Sequence, residues 1–479
     1  MKSSSSDNFL LVYLVGRERT GQRLAQLYAA PCVAASVYRA LPPLAKQVVA
    51  RLVFVDGSVG RGLAERWFLH DAEFHAALQL LRGLDLLVGG SDDGDDDELS
   101  LEPAFRQSLR RFLLEGAVKA CGVRFPSAVN PKHLRTGQQL ERTASERWEC
   151  LLRYLAIPST STSKAEESIC DVWKSVLVSA GLIRASTQPR GGEETEITSA
   201  GFQFLLQSRR RQLSCYVLHY LDSLRLDATQ LAQVLAFFCR LLFCAPSHPV
   251  LYEKDRQPAE VQDLVQHLRI LGLVFIRKSS DGWLYTTPLL QLLAAGAEED
   301  DDRDAGADDT AGQQHKFLVV ETNQRVYAYT DSELELAILS TFCDLQYRFS
   351  RMAVGLLTRD AARAAFQIGI SADQIIHYLR SHAMAVSSSS SSTGGAASAL
   401  VPPTVADQIQ LWFLERERLK FDDAAYYAGF ETDEDFRAVR EFGQRSGVVL
   451  FADAEKRELV VTAQGHELTK KFWKQHHRK

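Results

Sequence analysis

Residues 315–382 read HKFLVVETNQRVYAYTDSELELAILSTFCDLQYRFSRMAVGLLTRDAARAAFQIGISADQIIHYLRSH, and this stretch decides how the rest of the chain is divided. Phe317 to Val320 and Arg325 to Thr330 are two β-rich runs around Thr322, Asn323 and Gln324, which predicts a hairpin or one bent strand. After Thr330 the period changes. Leu334, Ala337, Ile338, Phe342, Leu345 and Phe349 recur at helical spacing, and Asp331 or Ser332 is placed to accept from the first-turn amides. A second helix is expected through Ala361 to Phe366. Ser371, followed by Asp373 and Gln374, opens a third whose apolar side is Ile375, Ile376 and Leu379. Nothing in the stretch looks catalytic. Glu321 and Arg325 flank the turn and project to the same side of a hairpin or a strand. They read either as a surface ion pair worth about 0–1 kcal/mol or, with Tyr327 and Tyr329, as a set presented to a partner protein.

Outside this stretch, the 479 residues exceed what one core can organise, and the length predicts about three or four domains. With 46% hydrophobic and 24% charged residues, the chain can bury real cores. A net charge of −5 argues against bulk attraction to nucleic acid. Eight cysteines lie scattered without a C-x-x-C pair, which disfavours zinc ribbons and predicts reduced, mostly buried thiols in a cytosolic or nuclear protein. The apolar run Phe9 to Val15 is too short and wrongly flanked for a signal segment. No stretch approaches the ~20 apolar residues of a membrane span, so no membrane partner is expected.

Three biased segments, Ser91 to Glu98, Glu298 to Asp309 and Ser387 to Ser398, are too polar to fold and predict solvated insertions. Between them one pattern recurs four times: a helix ending near Gly, a strand, a polar turn, a second strand and a closing helix. The glycines are Gly83, Gly181, Gly272 and Gly447, each expected to end its helix in a left-handed conformation. The pattern is the closing half of a winged helix. The predicted fold class is therefore α+β, mainly α: tandem winged-helix-like modules with short antiparallel hairpins, a β-then-α module, and a small αββα C-terminal domain.

In a DNA-reading module the helix before the wing carries basic and amide side chains. Here those helices, DAEFHAALQLLR, ICDVWKSVLVSA, AEVQDLVQHLRI and DEDFRAVREFGQRS, are neutral, apolar or acidic. They predict protein contacts, with DNA contact indirect or weak. Basic clusters at Arg106, Arg110 and Arg111, at Arg209 to Arg211, and at Lys470, Lys471 and Lys474 read as cations near helix C-termini. No phosphate loop, nucleophile elbow or H-E-x-x-H is present. His377 and His382 would sit about 140° apart on a helix, a poor metal pair. No catalytic residue, cofactor or metal is expected.

VVETNQRVYAYTDSELELAIL, LTRDAARAAFQIGISADQIIHYLRSHA and LPPLAKQVVARLVF, with ERWECLLRYL, PPTVADQIQLWFLERERLKF and VTAQGHELTKKFWK, run in order along nearly the whole chain. Together they resemble the XPB-anchoring subunit family of the transcription and DNA-repair factor TFIIH. The resemblance implies a nuclear, non-catalytic scaffold that anchors an XPB-type translocase and stimulates its ATPase in RNA polymerase II initiation and nucleotide excision repair. Its other partners would be the smallest TFIIH subunit and further core subunits. It implies a 1–120 N-terminal helical or winged-helix domain, a 121–296 winged-helix-like hub, a 297–314 acidic linker, a 315–386 translocase-docking module, a 387–399 Ser-rich linker and a 400–479 dimerisation domain. Carried over by position, Glu321, Arg325, Tyr327 and Tyr329 bind the translocase. Val448, Val449, Leu450, Phe451, Leu459, Val460, Val461 and Trp473 bind the smallest subunit, with edge pairing by VVLF and ELVV as the expected mode. The acidic runs, the Ser-rich insertion and Gln324, where an aromatic residue is expected, depart from the family pattern. The alternative is a free-standing winged-helix nucleic-acid-binding regulator.

Overall fold

The computed structural model describes residues 8–18, 24–88, 98–126, 133–156, 164–187, 193–224, 226–246, 248–278, 281–294, 317–384, 400–416, 418, 423–430 and 432–476. These residues are mainly helical, and their strands gather into five small antiparallel sheets. The three biased segments fall outside the described residues, except for Glu98, which opens the strand Glu98–Leu101. The chain divides into two units, residues 1–410 and residues 411–479.

At the centre of the first unit is the helix Ala228–Leu242. Asp227 and Gln230 close a reciprocal capping box at its start, and Leu231, Val234, Leu235, Phe238, Cys239 and Leu241 are all buried. Its broad apolar side faces the core, while Thr229 and Gln233 stay exposed. It packs on the helices Pro31–Ala40 and Ala259–Leu271, and Phe9 meets Phe238 edge to face at 5.8 Å. Residues from the first forty and from the predicted hub thus share one core. Cys32, Cys121, Cys239, Cys244 and Cys343 are buried free thiols, as expected, while Cys150 is exposed and Cys215 half-buried.

All four predicted repeats form, and three gain a strand that the pattern did not show. Val59–Gly60, Val250–Leu251 and Ala424–Tyr427 each precede the repeat's helix and pair with its last strand, giving the same order three times: first strand, third strand, second strand. Two-residue strands, and the alanine pair at 424–425, leave almost no period to read. The remaining copy, Ile183–Thr187 with Glu193–Ile197, is a two-stranded hairpin among the described residues.

The helix endings share one hydrogen bond, running five residues back: Leu86 to Leu81, Leu182 to Leu177, Leu273 to Leu268 and Val448 to Gly443. This is the Schellman closure, which needs a left-handed residue just before the donor. Gly181, Gly272 and Gly447 supply it at φ 69°, 81° and 65°. Gly83 does not. Its φ is −63°, and the left-handed residue is Asp85 at φ 52°, because the closing bond falls two residues later than Gly83 suggests. Aspartate tolerates that conformation better than most side chains.

The largest correction lies in residues 317–384. The hairpin is present as Leu318–Val320 and Arg325–Ala328, with Gln324 at φ 68° in its turn. The helix after it is only Glu333–Ser340, capped by Ser332. Residues expected to continue it instead form the strand Asp344–Arg348, and a further strand, Ala353–Leu356, arises where no element was expected. Phe342 and Leu345 match helical spacing, yet a bulge between Leu345 and Tyr347 shifts the strand register and conceals the alternation of two. The result is a four-stranded sheet in the order Asp344–Arg348, Ala353–Leu356, Arg325–Ala328, Leu318–Val320. The helices Arg359–Ile368 and Ala372–His382 follow, the second opened by the expected Ser371 and Gln374 capping box. Phe317, Phe342, Phe366, Ile375 and Leu379 are fully buried.

One electrostatic expectation also changes. Arg209 to Arg211 begin the helix Arg209–Ser223, the end where the backbone dipole disfavours cations, so they are not C-terminal cations. Lys470, Lys471 and Lys474 do lie in the later half of Ala463–His476. Arg106 donates to Val55 O (2.9 Å), Arg110 to Asp56 (3.1 Å) and Arg111 to Glu115 (3.3 Å), which ties up all three within the fold.

Candidate functional site

In the four-stranded sheet, directly paired residues share a face. Val319, Tyr327, Val354 and Tyr347 make one row across all four strands. Glu321, Arg325, Leu356 and Asp344 make the next, since Glu321 N donates to Arg325 O at 2.9 Å. Val326 and Ala328 between them are buried, whereas Arg325 is exposed, Tyr327 half-buried and Tyr329 48% exposed. Glu321, Arg325, Tyr327 and Tyr329 therefore do occupy one outward face.

They are not an ion pair. Glu321 Oε2 is taken by Asn323 Nδ2 at 2.9 Å, and Asn323 Oδ1 accepts from the Arg325 amide at 3.0 Å. The turn is fastened by Asn323, leaving the guanidinium of Arg325 exposed. Its neighbours in the row are Glu321 and, beyond Leu356, Asp344, so the face is mixed in sign as well as aromatic.

Sequence reasoning missed Asp344, Tyr347 and Phe349 because it assigned residues 342–349 to a helix, and Val354 and Leu356 because it assigned no element to Ala353–Leu356. Tyr347 and Phe349 are 62% and 57% exposed, which enlarges the aromatic surface considerably. The signal was present in the β-rich sequence Tyr347-Arg348-Phe349, but the bulge obscured it. One sheet edge is covered: Phe317 N donates to His382 O and Met384 N to Leu318 O. Asp344–Arg348 forms the other edge, paired on one side only among the described residues. His382 is occupied locally through Nδ1 with Tyr378 O at 2.9 Å. Among the described residues no cluster of His, Cys, Asp and Glu could hold a metal ion, and no helix is long and apolar enough to cross a membrane.

The second unit has a sheet of its own. Glu458–Thr462 is central, paired by Ala424–Tyr427 on one side and Val449–Asp453 on the other. ELVV therefore has no free edge, which corrects the expectation that both hairpin strands could pair outward. Val449–Asp453 keeps one among the described residues. Leu459 and Val461 are fully buried with Phe436 and Val439, and Val449 and Trp473 pack against that core. Trp473 meets Phe430 edge to face at 5.8 Å. These side chains hold the sheet together. Val448 is half-buried, while Leu450 and Phe451 are 54% and 56% exposed. Tyr426, Val460 and Phe451 form a row across the outer face. Tyr426 was missed with its strand. A hydrogen bond to the Glu458 carboxylate pushes its phenol pKa up.

A mainly helical chain whose small antiparallel sheets turn an aromatic and charged face outward in two places is a modular α+β protein with exposed sheet surfaces. This chain belongs to the Tfb2 transcription factor family. The family described as "Transcription factor Tfb2" matches residues 15–385, and "Transcription factor Tfb2 (p52) C-terminal domain" matches residues 407–474. Among curated proteins it is similar to "General transcription and DNA repair factor IIH subunit TFB2" of Kluyveromyces lactis, at 29% identity over 92% of this chain and 93% of the relative. The protein of the same name from Saccharomyces cerevisiae is 28% identical over 94% of each chain. "General transcription factor IIH subunit 4" of Dictyostelium discoideum is 26% identical over 94% of this chain and 96% of the relative.

Proposed function

We propose that this chain is a non-catalytic scaffold subunit of a nuclear TFIIH-type complex in transcription and DNA repair, anchoring an XPB-type translocase and stimulating its ATPase. The carrying observation is the outward sheet face within residues 317–384, with Glu321, Arg325, Tyr327 and Tyr329 in register and Tyr347 beside them. Family membership across both units supports the assignment to the complex. Aromatic and arginine side chains grouped on an exposed face are typical of protein interfaces. The strand orders of the three-stranded sheets support the winged-helix reading of the modules. The acidic first turns of Asp71–Arg82 and Asp433–Arg445 fit protein contact better than base reading. For the smallest subunit, the docking surface is the edge of Val449–Asp453 left unpaired among the described residues, with Leu450, Phe451, Val460 and Tyr426 around it.

The test is capture of a purified XPB-type translocase by the full chain. Glu321→Lys and Arg325→Glu are expected to weaken capture roughly tenfold with unchanged circular dichroism and thermal unfolding. Full capture by both charge reversals would remove these residues from the interface. Salt-sensitive shifting of duplex DNA by the chain alone, without capture, would favour the nucleic-acid regulator instead.

A further inference from the structure

The docking sheet is not tethered to the hub by chain connectivity alone. Gly369 ends the helix Arg359–Ile368 in a left-handed conformation, φ 99°, and stands against the start of the hub helix Ser199–Leu205. A Cβ built on Gly369 would lie 3.1 Å from Ser199 Cβ and 3.3 Å from its Oγ. The same hub helix sends Gln203 Nε2 to Gly369 O at 2.7 Å. The hub helix is itself held at its start, where Thr198 Oγ1 accepts from Gly201 N and donates to Gly181 O and Leu182 O. A second contact joins the two regions, where Glu333–Ser340 packs on the long hub helix Gly137–Ala156.

Two separated contacts fix an orientation, whereas one would leave a pivot. The Gln203 bond and Gly369 are both exposed, outside the buried set of Phe317, Phe342 and Phe366, so this joint contributes little to folding of the sheet. It also uses none of the outward row of Glu321, Arg325 and Tyr327. Its remaining effect is on where that face points relative to the hub.

We propose that Gly369, Ser199 and Gln203 form a fixed joint that sets the docking face against the hub, making them positioning residues for stimulation of the docked translocase and not for its capture. This rests on the docking reading above. A motor held at the correct angle is stimulated, and one held loosely is merely bound; coupling then passes through this packed contact.

The test changes only the hub side, leaving the docking module's sequence intact. Ser199→Phe wedges the joint, Gln203→Glu sets a carboxylate against a carbonyl, and Gln203→Lys keeps an N–H donor. With full-length protein and purified translocase, Ser199→Phe and Gln203→Glu are expected to lower the stimulated ATPase kcat roughly fivefold. The affinity of capture should stay as in the native chain, and Gln203→Lys should restore kcat. Hydrogen exchange in residues 359–371 reports that the joint has opened. Native kcat in both variants with the joint shown open overturns the proposal. Loss of affinity in step with kcat also overturns it, since the residues would then act through binding. Failure of the native chain to capture the translocase at all would instead sink the docking reading.

Discussion

At the residue scale, the buried polar groups carry the clearest consequence. His267 is 5% exposed, its ring stacked 3.8 Å from that of Tyr220, with Nε2 3.2 Å from the Tyr216 hydroxyl. Burial pulls its pKa down from 6.5 to about 4, so the folded protein holds it neutral. Between those values the unfolded chain binds a proton that the folded one refuses. Stability therefore falls as pH drops from 6.5 towards 4, by at most about 3 kcal/mol. Urea unfolding at pH 7 and pH 5 should show this loss, and His267→Phe should flatten that part of the profile. An unchanged slope in the variant would assign the pH effect elsewhere. Periodicity could not have marked His267, because its two aromatic neighbours come from Arg209–Ser223, a helix about fifty residues earlier in the chain.

At the element scale, a glycine that ends a helix can be required for two separable reasons. Gly272 and Gly447 are both left-handed, but a Cβ on Gly272 would stand 2.9 Å from Ala144 O and 3.0 Å from Ala144 Cα, whereas Gly447 faces open space. Gly447→Ala should lose about 1–2 kcal/mol for the backbone conformation alone. Gly272→Ala should lose about 3 kcal/mol or more, because rigid backbone must also move. Denaturant unfolding, followed on each unit's own transition, separates the two. Equal losses would mean that the approach of Gly137–Ala156 to Gly272 does not matter. Both glycines were legible as helix ends; the close approach at Gly272 was not, since it depends on a helix more than a hundred residues earlier in the chain. The strand Asp344–Arg348 was illegible for the opposite reason: a bulge inside the element broke the period that identifies it.

At the scale of the whole molecule, residues 411–479 have their own core of Phe436, Val439, Leu459 and Val461. Two unfolding transitions are expected for the full chain. Phe436→Ala should lower only the one belonging to this unit, by about 3–5 kcal/mol, which tryptophan fluorescence at Trp473 can follow. A single shifted transition would show that the two units unfold together.

Sequence alone determined the repeated helix, turn and hairpin units, the capping box at Ser371, the buried cysteines, the family, and the common side of Glu321 and Arg325. These follow from local periodicity, from hydrogen bonds within a few residues, or from order along the chain. Tertiary structure decided which strands lie at an edge, that ELVV is central, that Tyr347 and Phe349 join the candidate face, and that Gly369 meets the hub. Each depends on pairing or packing between segments distant along the chain, and such contacts leave no period in the segments that make them.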